Sequence, residues 1–75
     1  GNSPARVHAT FRTKTEPSRV IDAYRSRCRA LRLETKEAPS GGDQLECNGS
    51  QGDEIGVSAT RRGGLTEVTL GGWVF

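Results

Sequence analysis

The chain has 75 residues, with 11 Lys and Arg against 9 Asp and Glu, so its net charge is only +2. That length accommodates one domain and excludes a multi-domain enzyme. Fourteen residues are Leu, Ile, Val or Phe, a level near that of disordered chains, but the small net charge argues for folding; the longest apolar run, Trp73-Val74-Phe75, is too short to cross a bilayer as a helix.

Residues 1–5 precede any periodic pattern and are expected to be a disordered segment, leaving 6–75 as a single domain. The chain lacks Met and starts Gly1-Asn2-Ser3-Pro4. It is therefore expected to be a processed or excised piece of a longer protein. Residues 6–14 alternate strictly. Val7, Ala9, Phe11 and Thr13 fall on one side, with Arg6, His8, Thr10, Arg12 and Lys14 on the other. This is the pattern of a strand with one dry and one wet face.

Thr15-Glu16-Pro17-Ser18 supplies a helix start, with Thr15 or Glu16 at the cap and Pro17 in the first turn, where its missing N–H costs nothing. At helical spacing Val20, Ile21, Tyr24, Cys28 and Leu31 gather into one stripe about 100° wide, which is what a core-facing helix needs. The helix is predicted from about Glu16 to Leu33 or Glu34, followed by a breaker-rich loop over Lys36–Gly42. Three more strands are predicted. Gln44–Asn48 has Leu45 and Cys47 inward, Glu54–Arg61 has Ile55, Val57 and Ala59 inward, and Leu65–Phe75 has Val68 and Leu70 inward. Asn48–Asp53 and Arg61-Arg62-Gly63-Gly64 read as turns, the second a tight hairpin.

The fold class is therefore α+β: a four-stranded, mainly antiparallel sheet in β-α-β-β-β order, with the amphipathic helix packed on one face. The last three strands form a meander. The first takes an edge, beside either the second or the last strand.

Cys28 lies in the helix stripe and Cys47 on the inward face of the second strand, so both point into the layer between helix and sheet. Joined, they would staple a small core by about 3 kcal/mol and imply an oxidising compartment. The alternative is a pair of buried free thiols. Two thiols and the single His8 are one ligand short of a closed zinc site, so no metal is expected, and nothing points to a small-molecule cofactor.

Catalysis finds no constellation. His8 has no partner that the sequence specifies, the carboxylates are scattered, and no phosphate-binding glycine loop occurs, so the chain is not expected to be an enzyme. Arg25, Arg29 and Arg32, at i, i+4, i+7, form a candidate basic stripe for an acidic partner or anionic headgroups, although a merely solvated face is the simpler reading. Trp73 and Phe75 are the other candidates. Their simpler role is to close the core, with a bulge at Gly71-Gly72 returning Trp73 inward; their alternative role is an exposed apolar edge that contacts a partner or a second copy. If the last strand ran on without a bulge, Trp73 and Phe75 would join Arg6, His8, Arg12 and Lys14 on the wet face. That combination suits stacking of bases, but Glu46, Glu54 and Glu67 share the face, so nucleic acid is the lesser expectation.

The Thr15-Glu16-Pro17-Ser18-Arg19-Val20 helix opening with Tyr24-Arg25 after it, set between a strand and an antiparallel meander, resembles small bacterial cell-envelope domains of the lipoprotein type. The resemblance extends from Val7 to Val74, although Ala23 stands where those domains often carry a Trp. It implies an exported, extracytoplasmic module (periplasm or cell envelope) held at a membrane only through an anchor outside this chain. Combined with the residue-level reading, the expectation is a non-catalytic interaction or accessory domain with an unidentified protein partner or a second copy of itself. The alternative is a nucleic-acid-binding module using the basic and aromatic outer sheet face.

Overall fold

The computed structural model describes residues 3–37 and 43–75. Six elements follow in chain order: β1 (Ala5–Thr13), α1 (Pro17–Ala30), β2 (Glu34–Glu37), β3 (Gln44–Asn48), β4 (Glu54–Arg62) and β5 (Leu65–Val74). The strands form one antiparallel sheet in the order β1-β5-β4-β3-β2, with α1 packed chiefly over β4, β3 and β2. The class is α+β, as expected, and the described residues hold one helix but five strands where four were predicted.

The extra strand is β2. Glu34-Thr35-Lys36-Glu37 carries no apolar side chain and was predicted to straddle the helix end and a loop. It is strand because β3 imposes it: Thr35 sits opposite Cys47 and Glu37 opposite Leu45. The rest of the predicted connection, residues 38–42, lies outside the described residues. β1 takes the edge beside β5, with Arg12 opposite Glu67 and Phe11 opposite Val68. The β4–β5 hairpin closes on Gly63-Gly64 between the paired Arg62 and Leu65, Gly63 taking the positive φ of 62° that such tight turns require.

The helix begins at Pro17 with Glu16 as its cap, whose side chain bonds no backbone N–H. It ends earlier than predicted, at Ala30. The Leu33 N–H donates to the Cys28 carbonyl at 2.9 Å and the Arg32 N–H to the Arg29 carbonyl at 2.9 Å, the paired bonds of a Schellman cap. That cap puts Arg32 at φ 62°, and it turns Leu31 outward to 71% exposure. Leu31 thus leaves the predicted core stripe, and Leu33 packs against the core instead. Because Gly adopts this conformation without the Cβ clash, Arg32→Gly is expected to raise the unfolding free energy by about 1 kcal/mol, read as a higher urea midpoint. An unchanged or lower midpoint would contradict the cap.

The core is small: Val20, Ile21, Cys28, Leu45, Cys47, Val57, Ala59 and Val68, with Tyr24, Leu33, Ile55 and Leu70 partly buried around it. At its end sits Thr66, fully buried, with a hydroxyl that finds no partner among the described residues. An orphaned buried hydroxyl costs more than an apolar group of the same shape. Thr66→Val should therefore stabilise the fold by about 1 kcal/mol; a clear loss of stability in thermal melts would mean the hydroxyl is bonded after all.

Candidate functional site

The sheet has two faces with different fates. On the helix side lie Val7, Ala9 and Phe11 of β1, Thr66, Val68 and Leu70 of β5, Ile55, Val57 and Ala59 of β4, and Leu45 and Cys47 of β3. The Cys28 and Cys47 sulfurs are at bonding distance, 2.07 Å, with Cα atoms 6.2 Å apart. Both sulfurs thus meet beneath the helix, as their positions in the two sequence patterns predict.

This bond anchors α1 at β3. A helix about 10 Å wide covers two or three strands spaced about 4.8 Å apart, and β1 lies three strand positions from β3. The helix-side face of β1 is consequently left without a full cover. Val7 and Ala9 are half-buried, and Phe11 is 41% exposed although its register partner Val68 is wholly buried. Among the described residues, an apolar strip beside an open sheet edge is the main unpartnered feature of the fold.

The opposite face is polar. Its rows across the sheet read Arg6, Trp73, Glu54, Asn48 and Glu34; then His8, Gly71, Gly56, Glu46 and Lys36; then Thr10, Thr69, Ser58 and Gln44; then Arg12, Glu67 and Thr60. The paired glycines Gly71 and Gly56 leave a trough of about 670 Å³, walled by Glu54 and Glu46 with Lys36 on one side and by Gln44, Ser58 and Thr69 on the other. Its lining carries carboxylates, hydroxyls, an amide and one ammonium, but neither imidazole nor thiol. Among the described residues no group of three His, Cys, Asp or Glu converges in a manner that could hold a metal ion.

Trp73 lies on this outer face, 45% exposed, opposite Arg6 on one side and Glu54 on the other. The predicted bulge is absent and the ladder runs unbroken through Gly71-Gly72, so the expected burial of Trp73 does not occur. Gly72 supplies the reason. At φ 152° it continues the strand in a conformation open to glycine, with no inserted residue. Phe75 is also exposed, at 53%. Its ring lies over Gly52, and its N–H donates to Asp53 Oδ1 at 2.6 Å, tying the end of β5 to the β3–β4 turn.

The predicted arginine stripe is divided. Arg25 donates from Nε to Glu37 Oε1 at 2.9 Å and from Nη1 to Asp22 Oδ1 at 2.5 Å, with Nη2 also on Glu37. Its hydrogen bond to Glu37, then that to Asp22, raises the guanidinium above its already high ordinary pKa. Arg25 therefore serves to tie edge strand β2 to the helix. Arg29 remains exposed on α1, whereas Arg32 lies beyond the helix in its cap, so the three do not form one line.

Sequence reasoning did not single out the β1 edge itself. Its two rows were legible, but their availability depends on which strands the helix covers. Compared with known protein families and with curated proteins, the sequence matches none.

Proposed function

We propose that this chain is a non-catalytic interaction domain of an exported bacterial protein of the cell envelope. The observation that carries this reading is the buried Cys28–Cys47 pair at bonding distance. Two of the eight core residues are its half-cystines, and disulfides of this kind persist in oxidising compartments. The partly uncovered apolar strip of β1 supports an interaction role, since monomeric domains seldom leave a strip beside an open edge without a partner. The envelope assignment also draws on the resemblance of the helix opening and meander to exported domains.

A nucleic-acid role is favoured by one observation, the exposed Trp73 opposite Arg6. Against it, Glu54 flanks the same Trp73, and Glu67 lies within 3.9 Å of Arg12 and 3.4 Å of Arg62. A phosphate backbone crossing the sheet would meet Glu46, Glu54 and Glu67 between the cations, whose unpaired charges among the described residues cluster at the β1 edge.

The compartment is tested in the cells that make the protein. Intact cells are treated with a membrane-impermeant amine reagent, then lysed in acid and thiol-trapped. The expected result is a chain labelled at Lys14 or Lys36 with both cysteines oxidised. A chain recovered unlabelled with two free thiols would overturn the reading.

A further inference from the structure

Resting on the interaction-domain reading, we propose that the open edge of β1 docks an extended segment of a partner protein in which acidic residues alternate with apolar ones. β1 is nine residues long, and among the described residues its one strand neighbour is β5. Its outward backbone groups are a template for a sixth strand. The opposite edge, β2, is only four residues long and mixes Glu34, Lys36 and Glu37.

The two faces of β1 specify the newcomer. On one face Val7, Ala9 and Phe11 form the strip that the helix leaves open. On the other stand Arg6, His8 and Arg12, with Lys14 just beyond. Of the three basic charges, Arg12 alone approaches a carboxylate among the described residues, Glu67 at 3.9 Å, which also serves Arg62. A strand added here places its alternate residues opposite these two rows. Acidic side chains answer the basic row and apolar side chains extend the dry strip, while main-chain hydrogen bonds supply affinity.

Charge also disfavours a second copy as occupant. Antiparallel self-pairing centred near Ala9 or Thr10 sets Arg6 against Arg12 or Lys14, and directly opposed like charges are destabilising. Nucleic acid or anionic lipid would use the basic row alone, leaving the apolar strip and the edge backbone unanswered.

The test uses the oxidised, isotope-labelled chain titrated with a capped peptide of alternating Glu and Val, as long as β1. The expected result is chemical-shift change and slowed amide exchange along β1, with no comparable response to the peptide carrying Lys in place of Glu. Arg6→Glu combined with Lys14→Glu alters two exposed side chains. It should weaken the acidic peptide about tenfold or more and admit the Lys peptide. Absence of binding, equal binding of both peptides, or shifts centred on α1 or on the glycine-floored trough would overturn the proposal. If the acidic peptide fails while the chain proves oxidised and labelled outside the cell, the β1 assignment falls and the exported-domain reading stands. If a short oligothymidylate binds at Arg6 and Trp73 instead, the protein-interaction reading falls as well.

Discussion

Reduction of the Cys28–Cys47 bond is expected to lower the unfolding free energy by about 3 kcal/mol. The bond spans 19 residues of sequence, and its removal frees the unfolded chain of that closed loop. The effect is large here because the core is small. Of the eight buried apolar residues among those described, only five, Val20, Ile21, Leu45, Val57 and Val68, are larger than cysteine. The bond is also the covalent link between α1 and the sheet, so its loss should be felt first as fraying of the helix from β3. Urea denaturation of oxidised and reduced protein, followed by far-ultraviolet circular dichroism, measures the difference. Replacing both cysteines by Ala should reproduce it and add the loss of packed sulfur. Equal midpoints for the oxidised and reduced forms would show that helix and sheet hold together without the link.

Gly72→Ala is expected to cost about 3 kcal/mol or more. A Cβ at this position would fall 1.8 Å from the Glu54 carbonyl oxygen and 2.9 Å from the Ile55 Cα, both backbone atoms of the adjacent strand. Neither can move without parting β4 from β5, and φ 152° is itself costly for an L side chain. For a domain of this size the melting temperature should drop by roughly 15 °C. Gly71→Ala is the control next door. A Cβ at Gly71 meets no heavy atom within 4 Å, so that variant should stay within about 1 kcal/mol of the parent. Comparable losses at both positions would mean that strand propensity, and not the approach of Glu54, governs this stretch.

Much of the architecture is written in local periodicity. The alternation in residues 6–14, 44–48, 54–61 and 65–70 identifies four of the strands, because a half-buried strand needs one dry face. The helical spacing of Val20, Ile21, Tyr24 and Cys28 identifies the covering helix, and its phase aims Cys28 at the inward row that contains Cys47. The Schellman cap escaped because Arg32 stands where a glycine would have signalled the turn. β2 escaped for a different reason: its residues carry no dry side, and only pairing with β3 makes them strand.

The candidate docking edge was half legible. The basic and apolar rows of β1 follow from its alternation, yet nothing local says that the strip stays open. That depends on three non-local facts: β1 pairs with β5, the disulfide holds the helix over β3, and one helix is narrower than five strands. Trp73 depended on a choice between two solutions available to Gly71-Gly72, a bulge or an unbulged glycine at positive φ. The second places Trp73 beside Arg6 and Glu54 on the outer face. Spacing and chemistry along the chain thus determine which side of each strand is dry and which cysteines meet, since both are set by the direction of successive side chains. The neighbour of each strand, and the part of the dry face left without a cover, are decided by packing between segments far apart in the chain, where width and covalent anchoring act and local pattern does not.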